Sequence, residues 1–189
     1  MELRELIIEN AVALFQTHGL RFTMQDVARR LHIAKKTIYA CFESKQDLLC
    51  AMLDDGFASI QADKRAVLES DLPLIEKLRK TMIAMPVQYQ ILDFRMLNEL
   101  DEKYPAVYAR LVEHLEDNWE PVTALIEQGI EEGLIRPVPV AIVRQIFTAS
   151  IESFLSSDTL RKENISYSEA LEQLMDIIML GIREDIHDH

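Results

Sequence analysis

No proline occurs before Pro73, and the whole chain of 189 residues holds only six prolines and five glycines. A proline inside a helix removes a backbone donor and crowds the preceding turn, and a glycine weakens a helix relative to alanine. Long stretches are therefore free to be helical, and the apolar residues recur with the matching period. Leu3, Leu6, Ile7, Ala11, Leu14 and Phe15 return at three- and four-residue steps, which places them on one face of an opening helix. No strand-like alternation, internal repeat or low-complexity segment interrupts the pattern. With 49% apolar residues a substantial core is available, so an ordered all-α fold is expected rather than a disordered chain.

Local signals divide the N-terminal part finely. His18 and Gly19 end the first helix. Thr23 is a good N-cap with Asp26 three residues on, a variant of the capping box, so a second helix is predicted over 24–31 with Val27 and Leu31 inward. A third, short helix is predicted over 35–41, because Ser44 followed by Asp47 marks a new N-cap directly after it. From Lys45 the pattern Leu48, Leu49, Met52, Phe57 and Ile60 continues as one long helix. Further helices are expected over 72–92, 94–102, 105–132, 140–155 and 168–184. Pro86 and Pro121 fall inside two of these spans and predict kinks. The chain thus reads as a small head, residues 1–48, on a larger helical body, residues 49–189.

Charge separates the same two parts. The formal net charge is -12, yet residues 1–48 carry +1 and residues 49–189 carry -13. Within 21–45, Arg21, Arg29, Arg30, Lys35, Lys36 and Lys45 face only Asp26 and Glu43. A polyanion is attracted to that stretch and repelled by the remainder, which favours one docking orientation.

Other functions find little support. Met1 to Glu5 contains no basic segment leading into an apolar run, and no apolar run approaches the ~18 residues of a membrane span, so a soluble cytoplasmic protein is expected. Cys41 and Cys50 do not resemble a disulfide framework and are expected to be reduced, inert thiols. His114 lies near Glu113 and Asp117, but no His-Glu-x-x-His spacing exists. No metal, cofactor or enzymatic activity is expected, since phosphate-cradling glycine loops and nucleophile motifs are missing as well.

Two short helices joined by a tight turn and ringed by cations form a helix-turn-helix, whose second helix lies in the major groove of DNA. If Ile38, Cys41 and Phe42 point inward, then Lys35, Lys36, Thr37 and Ala40 face out with Tyr39 at the edge. Lys36 and Thr37 then reach base edges, Lys35 and Tyr39 reach phosphates, and Ala40 meets a thymine methyl. Lys45 opens a helix, where free backbone N–H groups and the dipole favour a phosphate. Thr23 completes this set of DNA-contacting candidates.

Residues 3–49 resemble the N-terminal domain of the TetR family of bacterial transcriptional regulators. The likeness rests on the amphipathic first helix ending in His18, Gly19 and Leu20, on Thr23 to Ala28, on Ile33 to Tyr39, on Phe42, and on Ser44 to Leu49. It implies an all-helical fold, a three-helix head followed by a ligand-binding and dimerising body. It also implies backbone contacts from Thr37, Tyr39 and Lys45, with sequence read by the exposed face of the third helix. Two positions depart from the family pattern: His32 stands in the turn where glycine is usual, and Ala34 stands where serine or threonine caps the reading helix. Each substitution is expected to cost up to about 1 kcal/mol.

The body suggests two further surfaces. Met52, Phe57, Met82, Met85, Tyr89, Phe94, Met96, Tyr108 and Trp119, with Tyr104, are as a group candidates for lining an apolar effector pocket, although each alone reads better as ordinary packing. The last predicted helix is apolar over most of its circumference, and the helix before it offers small residues. A four-helix homodimer interface is expected from Ile142, Ile146, Ser150 and Ser153 with Leu171, Met175, Ile178 and Ile182. The expected partners are operator DNA, a small effector and a second copy of the chain, and the expected role is a repressor released by its effector. The alternative is a protein of the same fold that acts through a protein partner.

Overall fold

The computed structural model of this protein describes residues 2–84, 94–116, 119–156 and 159–183. Every regular element among them is helical: α1 (Leu3–His18), α2 (Met24–Leu31), α3 (Lys35–Cys41), α4 (Lys45–Glu69), α5 (Leu74–Ile83), α6 (Phe94–Lys103), α7 (Pro105–Glu116), α8 (Glu120–Glu131), α9 (Val140–Ser156), α10 (Thr159–Lys162) and α11 (Tyr167–Ile182), with a 3-10 turn at Gly19–Arg21. No helix among the described residues is long and apolar enough to cross a membrane.

The bounds predicted for α2 and α3 agree with the structure, because both ends carry local chemistry. The one long helix expected over 105–132 is instead two. Pro121 does not kink a continuous helix but sits in the first turn of α8, where its missing N–H has no intrahelical acceptor to lose and its fixed φ suits the helix. The short α10 lies between the helical spans expected over 140–155 and 168–184. Pro86 lies outside the described residues.

The chain forms two compact units that do not follow a single cut: Met1–Ser59 with Pro86–Glu113, and Ile60–Met85 with His114–His189. In the first unit α1, α2 and α3 pack around Ile7, Ala11, Val27, Ile38 and Leu48, all fully buried. The guanidinium of Arg110 donates from Nε and Nη2 to both carboxylate oxygens of Asp54, at 2.6 and 2.9 Å, fixing α7 to α4.

In the second unit α5 packs on α8 and α11, and α9 packs on the same two helices, which closes a ring of four. Its floor is tight. A Cβ placed on Gly129 would stand 2.6 Å from Ile135 Cδ1 and 3.1 Å from Leu74 Cδ2, so α8 approaches this closely only because residue 129 lacks a side chain. Ile135 is buried there, and the Arg136 N–H donates to the Ile182 carbonyl at 2.9 Å. Arg79 ties α5 to α11 through Glu172 and Asp176; such half-exposed pairs contribute little individually, on the order of 0–1 kcal/mol.

Candidate nucleic-acid interface

The first helix of the motif, α2, is set by its caps. Thr23 Oγ1 accepts from the Asp26 N–H at 3.2 Å, and the Thr23 N–H donates to Asp26 Oδ2 at 2.9 Å, so the capping box is reciprocal. The Thr23 hydroxyl also donates to the same carboxylate at 2.7 Å, and these bonds hold the Asp26 carboxyl below its ordinary pKa. Thr23 is exposed, but its hydroxyl is committed to the cap rather than offered outward.

At the other end His32 adopts φ 54 and ψ 37, the left-handed conformation the turn requires. The Ile33 N–H reaches back to the Ala28 carbonyl at 3.0 Å and closes the helix. Ala34 occupies the N-cap of α3 with no side-chain bond. Both family departures therefore have a structural counterpart. His32→Gly and Ala34→Ser should each raise the stability of the head by roughly 0.5–1 kcal/mol, read as an upward shift of the thermal midpoint; a lower midpoint in both variants would contradict the turn described here.

Seven residues is too short a helix to persist by itself, so α3 depends on its packing. Ile38 is fully buried and Phe42 is 3% exposed, with the Arg4 guanidinium 5.0 Å from the Phe42 ring centre. That anchorage turns the opposite face outward. Lys35, Lys36, Tyr39 and Ala40 are exposed, and Thr37 is half-buried. The Lys35 ammonium stands 5.5 Å over the Tyr39 ring one turn on, so the two side chains form a preformed cationic and aromatic pair. The outward set predicted from the sequence is thus brought together on one short face.

Lys45 behaves differently from expectation. Its ammonium donates to the Leu20 carbonyl and lies 4.5 Å over the Phe22 ring and 5.5 Å over the Tyr104 ring. Burial, and then the nearby Lys103 charge, pull its pKa down, partly opposed by Asp26. The side chain thus braces the unit from within, and no local sequence signal marks that inward turn. Arg30 is similarly engaged, donating to Asn10 Oδ1 at 3.0 Å, and Arg29 pairs with Asp26 at 3.2 Å. Arg29 and Arg30 nevertheless stay exposed, as do Lys35, Lys36 and Arg21.

The other candidates scatter. Met85 and Tyr89 lie outside the described residues, as do the side chains of Phe94 and Met96. Of the remaining pocket candidates, buried Met52 and half-buried Phe57 and Tyr108 belong to the first unit, whereas buried Met82 and Trp119 belong to the second. A cleft of ≈ 500 Å³ in the second unit is lined by other residues, among them Leu68, Leu72, Lys77, Leu125 and Glu132.

On the expected interface, Ile142 and Ile146 are 53% and 49% exposed, with Ser153 exposed and Ser150 half-buried. Leu171, Met175, Ile178 and Ile182 are instead buried in the core of their own unit. Side chains already removed from water have almost no apolar surface left to offer a second copy. The outward apolar residues of α11 are Ile177 and Leu180, 69% and 76% exposed. Among the described residues no cluster of His, Cys, Asp or Glu could hold a metal ion, and Cys41 and Cys50 are free thiols, that of Cys50 pushed up chiefly by burial.

Comparison with known proteins agrees with this architecture. Residues 7–52, from α1 into α4, match the family described as bacterial regulatory proteins, tetR family. The chain is 26% identical over 180 residues to the uncharacterized HTH-type transcriptional regulator YvaF of Bacillus subtilis (strain 168), covering 95% of both chains. Among solved structures its fold is similar to that of a TetR family regulator from Cytophaga hutchinsonii, with a TM-score of 0.68 at 20% identity over 95% of this chain and 94% of that one. It is also similar to the transcriptional regulator FadR of Bacillus subtilis in complex with stearoyl-CoA, with a TM-score of 0.62 at 18% identity over 95% and 99%. The capped α2, the left-handed turn and the outward face of α3 all lie within the stretch that matches the tetR family of bacterial regulatory proteins, and the chain as a whole is similar in fold to TetR family regulators.

Proposed function

We propose that two copies of this chain bind a near-palindromic operator as a repressor and release it when a small, partly apolar effector enters the body. The observation that carries the reading is the outward face of α3, where Lys35, Lys36, Tyr39 and Ala40 stand opposite the buried Ile38. Lys36 and Thr37 read base edges, Lys35 and Tyr39 hold phosphates, and Ala40 meets a thymine methyl. Thr23, exposed at the start of α2, meets a phosphate beside the groove only by turning its hydroxyl proton from Asp26 to the DNA. Residues 1–48 meet DNA, and residues 49–189 bind the effector and pair the subunits.

Pairing through the outward residues of α9 and α11, Ile142 and Ile146 with Ile177 and Leu180, would remove the largest exposed apolar side chains of the second unit from water. Twofold symmetry then requires half-sites about 34–36 Å apart or a multiple of that. The stearoyl-CoA bound to FadR, a relative in fold, supports an effector with a large apolar part. An effector shifts DNA affinity only to the extent that it prefers one conformation of the protein. The continuous helix α4, which begins in one unit and ends in the other, is the covalent route for that preference.

The test begins with sequencing of genomic DNA retained by the purified protein, followed by anisotropy titrations of the selected duplex. Lys36→Ala should weaken specific binding by roughly 5–100-fold, the worth of a good base contact. Lys35→Ala should lower the salt slope by about one unit, whereas Lys45→Ala should leave the slope near the parent value because its ammonium is spent inside the unit. Unchanged affinity in both Lys35→Ala and Lys36→Ala, or retention of a stable protein partner and no DNA, would favour the alternative of a protein-binding role.

A further inference from the structure

Thr81 is the one fully buried polar side chain among the described residues, and its hydroxyl has no hydrogen-bond partner. The Thr148 hydroxyl is likewise shut from solvent without a partner. A helical threonine commonly bonds the carbonyl one turn back, as Thr17 does to Ala13 at 3.1 Å. A buried hydroxyl left idle costs about 1–3 kcal/mol, so two in one unit need a common explanation.

Their positions provide it. Thr81 is on α5 and Thr148 on α9, the two helices that face each other across the ring closed by α8 and α11. Both helices start at the same end of the unit, since α5 begins where Leu74 nears Gly129, and only residues 132–139 join α8 to α9. Thr81 lies seven residues beyond Leu74 and Thr148 eight beyond Val140, which puts them roughly 10 and 12 Å along their helices. Trp119 marks nearly the same level: its ring meets Phe147, the neighbour of Thr148, edge-on with centroids 5.6 Å apart. Met82 and Met175 are buried alongside, and such flexible thioethers re-pack readily.

We infer that Thr81 and Thr148 form a neutral hydrogen-bonding subsite inside the second unit, suited to the uncharged alcohol, ester or amide group of a largely apolar ligand. The inference rests on the reading that the body takes an effector. Paired hydroxyls both donate and accept but supply no countercharge, so a carboxylate would enter such a site at a heavy desolvation cost. An ester or amide carbonyl can accept from such a hydroxyl, and an alcohol can both accept and donate.

Threonine-to-valine exchange keeps the shape and replaces the hydroxyl with a methyl group. Thr81→Val and Thr148→Val should each leave the unliganded protein as stable as the parent or raise its thermal midpoint. A lowered midpoint in both would overturn the subsite, because the hydroxyls would then already be satisfied, by a buried water or otherwise. Trp119 is the chain's single tryptophan and its ring meets Phe147, the neighbour of Thr148, so its fluorescence serves as the probe. Decan-1-ol and methyl decanoate should give saturable changes that the double valine variant weakens tenfold or more and Thr81→Ser largely preserves, whereas decanoate should bind more weakly. No saturable response, unchanged affinity in the double variant, or tighter binding of decanoate would each sink the inference. The same probes added to the operator complex separate the two readings: binding at Trp119 without release of DNA would count against effector control and leave the subsite intact.

Discussion

Ile38→Ala should destabilise the head by about 2–5 kcal/mol, the usual range for emptying a fully buried aliphatic site, and should abolish specific operator binding although Ile38 touches no DNA. The side chain is 0% exposed and anchors a seven-residue helix that has no side-chain N-cap. A helix so short has almost no intrinsic stability, so losing its main apolar anchor frees the backbone carrying Lys35, Lys36 and Tyr39. The expected signature is joint: a lower thermal midpoint, faster amide exchange over 35–41, and lost affinity. Lys36→Ala should instead lose affinity at an unchanged midpoint. A parent-like midpoint for Ile38→Ala would mean that α3 is not held as described.

Gly129→Ala is the second large effect, and its sign runs against helix propensity, since alanine normally improves a helix interior by roughly 0.8–1 kcal/mol over glycine. Here the added Cβ would meet Ile135 Cδ1 at 2.6 Å and Cγ1 at 2.9 Å, with Leu74 Cδ2 at 3.1 Å. Ile135 is 1% exposed and cannot swing aside into solvent. Overpacking of this kind costs on the order of 1–3 kcal/mol, enough to outweigh the gain in propensity. Ile135→Val removes the nearest atom and should recover part of the loss in the double variant, so a denaturation cycle should show a coupling of about 0.5–3 kcal/mol. Additive losses, or a stabilised Gly129→Ala, would contradict the close approach of α8 to the loop after it.

Where local chemistry closes within a few residues, the sequence was legible almost to the residue. The bounds of α2 and α3 follow from the Thr23 and Asp26 box, the turn at His32 and the Ser44 cap, all of which involve groups no more than five positions apart. The outward face of α3 was legible for the same reason, because one buried position on a single helical turn determines which neighbours face away. Periodicity predicts a kink at Pro121, because apolar spacing does not distinguish one bent helix from two successive helices.

Side-chain partners distant in sequence were not legible. Lys45 reads as an exposed cation at a helix start, yet it meets the Leu20 carbonyl and the Phe22 and Tyr104 rings. A long side chain with an apolar stem takes whichever direction its surroundings leave open. The last helix carried too many apolar residues for one contact, but which of them served its own core had to come from packing: Met175 and Ile178 turn in, Ile177 and Leu180 turn out.

By itself, then, the amino-acid order determined the helical class, the head with its two caps and turn, and the cationic face of α3, because these depend on period, charge and bonds between near neighbours. Tertiary structure alone decided which cations stay outward, which face of α11 is open, and that two threonine hydroxyls are buried on opposing helices, because burial is a property of surroundings assembled from distant parts of the chain.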